Sequence, residues 1–337
     1  MRRSRLAAAV VALALTAGCS AFASDDEDVI RVYSGRHYDL EPAFEAYAEE
    51  TGVSVEFLYG DDAELLERMK AEGEDTPADV FMTVDAGNLW LAAQEGLLSP
   101  LNSPTLAAAV PEGLRDPGDR WYGLSLRART VMYNPAAVDP SEFDATDTYA
   151  GLADPKWEGR LCMRDSTNSY TQSLIASLID VHGYDGALDI VEGWVDNGVD
   201  IMPNDVLILE TVDAGGCDVA ITNHYYLARL LEDNPDMNVV PYWANQEGNG
   251  VHVNVSGAGV IAESDNPEQA QQLIEWLATK GQNSFVDGNH EYPVNREVQP
   301  EPLIAGFGEF DYAPINAKAY GDLNAQAVQL MAEAGYE

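Results

Sequence analysis

Short apolar runs alternate with segments of helical periodicity between residues 28 and 96, and this alternation constrains the fold more than any other feature. The apolar runs of strand length are residues 28–34, 53–58 and 79–84. Between the last two, residues 61–73 place Leu65, Leu66 and Met69 on one face of a helix. Strands that are joined by helices pair in parallel, because the helix returns the chain to the same edge of the sheet. The sequence therefore predicts an α/β fold with parallel-type sheets flanked by helices.

Two longer extended runs, 121–133 and 252–261, do not fit a simple alternation of strands and helices. The second run contains two glycines, as strands do where two backbones pass closely. A chain of 337 residues is long enough for two domains, so we expect these runs to cross from one domain to the other and back. We also expect a turn near the surface at 291–295 and a terminal helix at 317–334.

The N-terminus is organised as an export signal. Three arginines precede an apolar run at 6–17, and an Ala-x-Ala cleavage pattern ends at Ala23. The apolar run is too short to span a membrane, and no later run reaches that length. The pattern predicts an exported protein, periplasmic or otherwise extracytoplasmic. The alternative is a lipoprotein box that ends at Cys19, whose acylation would tether the protein, although Thr16 is a poor fit to such boxes.

Acidic residues outnumber basic residues by 57 to 18, which gives the chain a formal net charge of −39. A field of this sign repels nucleic acid and anionic membrane surfaces, so neither is an expected partner. The acidic residues are scattered along the chain and do not form one tail. A solvated acidic surface is typical of proteins that work in high salt, where screening relieves the self-repulsion. A general capacity to hold cations is the alternative interpretation.

Two cysteines, Cys162 and Cys217, lie beyond the predicted signal. Export to an oxidising compartment favours a disulfide between them. The bridge would bring Arg164, which lies two residues past Cys162, close to the segment that follows Cys217. Two buried thiols are the alternative.

The segment 217–230 contains two adjacent tyrosines where a strand passes into a helix. A β-branched run ends at Thr222, and leucines recur at helical spacing after Tyr226. In an open α/β sheet, ligands bind beyond the carboxyl ends of the strands. Other tyrosines and one histidine are predicted at equivalent positions elsewhere in the chain. The full set comprises His37, Tyr38, Tyr170, Tyr225 and Tyr226.

A site of several tyrosines and one histidine restricts the type of ligand. A hard, highly charged cation can displace the phenolic proton and then bind the anionic oxygen. Mg²⁺ and Ca²⁺ prefer carboxylates and carbonyls, whereas Zn²⁺ prefers cysteine and histidine. Among metals Fe(III) fits best, and the alternative is a pocket whose rings stack on an organic cation such as a polyamine or a thiamine-like molecule. An exported metal-dependent enzyme is less well supported, because the sequence contains no G-x-S-x-G, H-E-x-x-H or paired Cys/His motif.

Six segments resemble, in the same order along the chain, those of the ferric-iron-binding receptors of bacterial ABC importers, the ferric-binding-protein/FutA type. The segments read SGRHYD, DVFMTVDAGNLW, STNSYTQSL, GGCDVAITNHYYLARL, HVNVSGAGV and EYPVN. The resemblance implies a two-lobed periplasmic-binding-protein fold, type II-like, whose interlobe cleft closes on Fe(III) or a small ferric chelate. It also implies a monomer that delivers iron to an ABC permease at the cytoplasmic membrane and that catalyses no reaction.

The resemblance also implies lobe boundaries and roles for individual residues. The expected division is 1–23 for the signal, 24–125 plus 257–310 for lobe 1, 126–256 for lobe 2, and 311–337 for a C-terminal helix that packs on the lobes. The metal ligands carried over from the family are His37, Tyr38, Tyr170, Tyr225 and Tyr226. Arg164 is expected beside the site, where it could offset phenolate charge, and a surface ion pair is the alternative. Asp85, the acid at a strand end, is expected to act as a helix cap or hydrogen-bond acceptor, and a role as metal ligand is the alternative. The other histidines are expected at the surface or in local hydrogen bonds: His182, His224, His252 and His290.

Overall fold

The computed structural model of the chain describes residues 29–36 and 41–336. The predicted export signal, Cys19 and the pair His37 and Tyr38 lie outside these ranges. No helix within the described ranges has both the length and the apolar character that crossing a membrane requires.

Strands and helices alternate along most of the described chain. The strands are β1 (Val29–Ser34), β2 (Ser54–Tyr59), β3 (Val80–Thr83), β4 (Tyr122–Tyr133), β5 (Leu161–Arg164), β6 (Asp200–Met202), β7 (Val219–Asn223), β8 (Val240–Tyr242), β9 (His252–Val260) and β10 (Tyr292–Pro293). The α-helices are α1 (Glu41–Thr51), α2 (Asp62–Glu72), α3 (Ala86–Gln94), α4 (Pro104–Ala109), α5 (Thr148–Gly151), α6 (Ser169–Asp196), α7 (Asp205–Asp213), α8 (His224–Asp233), α9 (Pro267–Leu277), α10 (Gln282–Asp287), α11 (Pro302–Gly306), α12 (Ala317–Asp322) and α13 (Asn324–Glu333).

The strands form one mixed sheet in the order β2-β1-β3-β9-β4-β7-β5-β6, with β8 and β10 paired to β4. The pairs β1–β2 and β1–β3 at one end are parallel, as are β5–β6 and β5–β7 at the other. In the middle, β4 and β9 are antiparallel to each other and to their outer neighbours. The predicted α/β fold is therefore present, and the sheet is mixed because the two crossing strands run against the parallel groups.

The hydrophobic core is divided in two along β4. The first core draws its residues from 30–128, 251–294 and 317–320. The second core draws its residues from 131–244 and 327–336. A smaller cluster, which contains Cys162 and Cys217, covers the opposite face of β5 and β7. The chain therefore passes from one core to the other within β4.

The glycines of β9 permit its close approach to β4. A side chain at Gly257 would place its Cβ 2.7 Å from the carbonyl oxygen of Tyr122, and one at Gly259 would place it 2.6 Å from that of Arg120. These distances are too short for any larger residue, which confirms the close backbone approach predicted from the sequence.

Two local predictions were wrong. The terminal helix is broken at Leu323 into α12 and α13, because Ala319 and Tyr320 belong to the first core whereas Leu330 and Met331 belong to the second. One straight helix could not place both sets of side chains in their separate cores.

The segment 291–295 is not at the surface, since Glu291 is 1% exposed and Val294 is 2% exposed. The apolar side of the segment joins the first core, and Glu291 forms an ion pair with the buried Arg36.

Candidate functional site

A cleft of about 1050 Å³ opens between segments that belong to the two cores. Its lining comes from 35, 59–63, 84–91, 164–172, 226 and 320–325. Most of these positions lie at or just beyond the carboxyl ends of β1, β2, β3, β5 and β7. The cleft therefore occupies the place where open α/β sheets bind ligands.

Tyr170 and Tyr226 are brought together in the wall of this cleft. Tyr170 lies in the first turn of α6, where the Asn168 side chain accepts a hydrogen bond from the backbone N–H of Tyr170 at 2.9 Å. The guanidinium carbons of Arg127 and Arg164 lie 5.1 and 5.8 Å from the centre of the Tyr170 ring. Cations at this distance stabilise negative charge on a phenol, so Tyr170 is well placed to bind a metal as phenolate.

Tyr225 is fully buried and does not line the cleft. Its ring centre is 4.3 Å from that of Tyr226, and its hydroxyl oxygen accepts a hydrogen bond from the Asn223 side chain at 3.4 Å. The Arg229 guanidinium lies over both rings, at 5.5 Å from Tyr225 and 6.0 Å from Tyr226. Tyr225 therefore packs against Tyr226, with its hydroxyl group beside Asn223.

Arg164 lines the cleft as part of a buried Arg–Asp–Arg cluster. Asp205 accepts from Arg164 Nη1 at 2.6 Å and from Arg129 Nη1 at 2.9 Å, and its side chain has no exposed surface. Burial alone would lower the pKa of Arg164, but Asp205 and then Tyr226 beside it raise that pKa above its ordinary value. Sequence reasoning missed Asp205, because an acid directly after the helix cap Asn204 resembles an ordinary first-turn residue.

Asp85 and Asp62 form the acidic side of the cleft. Asp85 caps α3 by accepting from the Asn88 N–H at 3.0 Å, as predicted, and it also accepts from Asn254 at 2.6 Å. Burial raises the pKa of Asp85. Asp62 Oδ2 accepts from the Val84 N–H at 3.1 Å, whereas its buried Oδ1 has no hydrogen-bond partner among the described residues.

Burial, with the neighbouring Asp85 carboxylate, raises the pKa of Asp62 well above its usual range. Asp62 was not singled out from the sequence, in which it is the second of two consecutive acids at a helix start. Asp61, the first of the two, is the helix cap.

His37 and Tyr38 lie outside the described residues, and Gly35 and Arg36 are the described residues just before them. Gly35 lines the cleft, and Arg36 is fully buried behind it. Arg36 Nη1 donates to Glu291 at 2.6 Å, and Nη2 donates to the Phe285 carbonyl oxygen at 2.8 Å. The described chain therefore reaches Arg36, directly before His37, at the edge of the cleft.

Three of the four remaining histidines are buried, so they do not lie at the surface, which was one of the two positions expected for them. His224, His252 and His290 are 0%, 4% and 6% exposed. The Nδ1 of His224 accepts from the Ala128 N–H at 3.2 Å, and burial lowers the pKa of His224 to about 4. His252 contacts Ser173 and Tyr320 at 3.3 Å each, and burial lowers its pKa to about 3. The hydrogen bonds of His224 and His252 agree with the second expected position, in local hydrogen bonds.

Cys162 and Cys217 form a disulfide, as predicted. The bridge joins β5, which ends at Arg164, to the loop before β7, which leads to the tyrosine pair. Both sulfurs lie in the small cluster on the far side of the sheet from the second core. The disulfide therefore fixes two elements of the same cleft wall from behind.

Comparisons with known proteins give a consistent result. Residues 43–307 match a sequence family described as "Bacterial extracellular solute-binding protein". The "Iron uptake protein A1" of Synechocystis sp. is 40% identical, over 93% of this chain and 88% of that protein. The "Fe(3+)-binding periplasmic protein" of Serratia marcescens is 29% identical, over 93% of this chain and 92% of that protein. The solved structure of Trichodesmium FutA in complex with iron and citrate has a TM-score of 0.85 at 41% identity, over 92% of this chain and all of that one.

Proposed function

Because the chain belongs to the family of bacterial extracellular solute-binding proteins, we infer that it is the ferric iron-binding component of an ABC-type iron uptake system. It works outside the cytoplasm as a binding protein and is not an enzyme. The observation that carries this function is the convergence of Tyr170 and Tyr226, from separate helix starts, in one cleft beside Arg127 and Arg164.

We propose that Fe(III) is held by His37 and Tyr38 from one side of the cleft and by Tyr170, Tyr225 and Tyr226 from the other. The positions of Tyr170 and Tyr226 in the cleft wall support this set, as does the position of Gly35, two residues before His37, in the same lining. In this proposal Tyr225, whose ring packs against that of Tyr226, supplies its phenol oxygen to the same metal ion. The nearby guanidiniums of Arg127 and Arg164 offset the negative charge that the phenolates acquire.

Hinge closure of two lobes would bring the two ligand groups onto one metal ion. We propose the boundaries 24–125 plus 257–310 for lobe 1 and 126–256 for lobe 2, with 311–337 packed on both. The division of the core within β4 supports two lobes, as does the split of α12 and α13 between the two cores, but the cores change at 128–131 and at 244–251, a few residues from these boundaries. Closure around the metal would expel water and strengthen each bond between iron and oxygen.

The remaining parts of the proposal concern partners and setting. The protein would act as a monomer and deliver iron, free or as a small chelate such as a citrate complex, to a membrane permease. Acylation at Cys19 would hold it at the membrane, and cleavage after Ala23 would release it. The net charge of −39 supports a working environment of high salt.

A titration of the metal-free protein with ferric citrate tests the function. A visible phenolate-to-iron absorption band is expected, and it should disappear in acid because protons compete with iron for the phenolate oxygens. Tyr226→Phe and Tyr170→Phe should weaken or abolish the band. Tyr184→Phe is the matched control, because Tyr184 lies on α6 away from the cleft and its hydroxyl donates to Glu333 at 2.9 Å.

A wild-type protein that stays colourless after ferric citrate would contradict iron binding. Stabilisation of that colourless protein by a polyamine or a thiamine-like cation, measured as a thermal shift, would favour the organic-cation receptor instead.

A further inference from the structure

The segment 289–291 contacts both elements that lead to the proposed iron ligands. On one side Glu291 forms a buried ion pair with Arg36, the residue directly before His37. Both side chains are almost completely shielded, at 0% and 1% exposure. The Arg36 guanidinium also lies 4.1 Å over the Phe285 ring. The backbone at Arg36 is therefore fixed to this segment through the Arg36 side chain.

Glu291 remains charged in this enclosed position. Burial alone would raise the pKa of its carboxyl, but the Arg36 and Arg127 guanidiniums and a hydrogen bond from Ser125 hold that pKa below its ordinary value. The ion pair with Arg36 is therefore a charged, directional contact.

On the other side the contact runs through Asn289. Its side-chain amide donates to Glu291 and its carbonyl oxygen accepts from Arg229. Arg229 lies on α8 with its guanidinium over the rings of Tyr225 and Tyr226. An unbroken series of polar contacts, Arg36–Glu291–Asn289–Arg229, therefore joins the residue directly before His37 to the tyrosine pair.

His290 and Tyr292 attach the same segment to both ends of α8. His290 Nε2 lies 3.2 Å from Glu232 near the end of that helix, and the Tyr292 ring lies 4.8 Å from the ring of His224 at its start. Tyr292 also pairs with Leu126 of β4, close to the point where the two cores divide. The segment is therefore attached to the strand that carries the chain between the cores.

We propose that Asn289 and Glu291 are positioning residues that set the separation between the His37–Tyr38 pair and the Tyr225–Tyr226 pair. The proposal rests on the iron-binding function inferred above. Neither Asn289 nor Glu291 is among the proposed metal ligands. A buried ion pair adds little net stability compared with apolar packing, so its effect here is on the placement of the two ligand groups. Residues that orient metal ligands in this way affect metal affinity without changing the ligands themselves.

Two variants and one control test the positioning role. Asn289→Ala breaks the contact to Arg229 and keeps the Arg36–Glu291 ion pair, whereas Glu291→Gln removes the charge. The control is Asp116→Asn, which removes the charge from a buried aspartate, 1% exposed, that pairs with Arg120 at 2.7 Å and does not line the cleft. Iron affinity is measured by competition with citrate, together with the absorption band and the melting temperature of the metal-free protein.

Iron affinity is expected to fall roughly tenfold or more in Asn289→Ala and Glu291→Gln, as is usual when a residue that orients metal ligands is lost. The band should keep its wavelength at saturation, because the ligands are unchanged, and Asp116→Asn should bind iron like the wild type. Glu291→Gln also lowers stability, since Arg36 loses its counter-charge. If Glu291→Gln does not fold, Asn289→Ala tests the proposal alone.

Wild-type affinity in Asn289→Ala would overturn the positioning role and leave the iron function standing. An equal loss of affinity in Asp116→Asn would also overturn it, because a general loss of stability would then account for the effect. A wild-type protein without any iron band would overturn the function and this proposal together.

Discussion

Removal of the Asp205 carboxylate is expected to destabilise the protein more than the loss of any ordinary surface acid. Asp205 is completely buried between Arg129 and Arg164, whose side chains are 4% and 15% exposed. In Asp205→Asn both guanidiniums lose the only carboxylate partner that they have in the described part of the chain, but Arg164 can turn into the cleft and regain water. We therefore count one uncompensated buried cation and expect the free energy of unfolding to fall by about 3–5 kcal/mol.

Urea denaturation of the metal-free protein measures this loss, and Asp218→Asn provides the comparison. Asp218 pairs with Arg160 at 2.7 Å, but both side chains are partly exposed, at 29% and 23%. Exposed pairs contribute about 0–1 kcal/mol, so this variant should unfold almost like the wild type. Equal and small losses in the two variants would refute the reasoning, because burial would then have no influence on the value of the ion pair.

The remaining predictions concern the pH dependence, the disulfide and salt. The pKa of the Asp62 carboxyl is raised in the folded protein. Its contribution to stability is therefore complete below its ordinary pKa and is lost as the pH rises through the folded-state pKa. Asp62→Asn should unfold at a higher urea concentration than the wild type at pH 7, and it should lose less stability than the wild type as the pH rises above 4. Replacement of both Cys162 and Cys217 by serine should lower the free energy of unfolding by about 4 kcal/mol, from the closure entropy of a 55-residue separation, and a loss below about 1 kcal/mol would contradict this. The melting temperature should rise with added NaCl, because screening weakens the repulsion within a chain of net charge −39; a melting temperature independent of salt would count against it.

Local patterns in the sequence were sufficient to predict most of the elements around the cleft. The helix α2 buries Leu65, Leu66 and Met69 as its periodicity indicates, and Asp85 caps α3. These features depend only on residues within one or two helical turns, which is why they can be predicted from a single sequence. The tyrosine pair likewise follows a strand and opens a helix, as predicted.

The features that the sequence did not reveal depend on partners that are far apart along the chain. Glu291 is buried because Arg36, 255 residues away, neutralises it, and Asp205 is buried because two arginines on separate strands meet there. An isolated acid in a sequence carries no sign of such a partner, so exposure is the natural expectation for it. The burial of Tyr225 could not be predicted either, because a strand-to-helix junction specifies the backbone and leaves the side-chain rotamer open.

The division of the C-terminal helices between the two cores has a consequence for the order of folding. Residues 317–320 complete the first core and residues 327–336 complete the second, and each segment follows all other residues of its core along the chain. Neither core can therefore finish its packing before these segments have been synthesised. Both halves stay incomplete until then, however early their other strands and helices form.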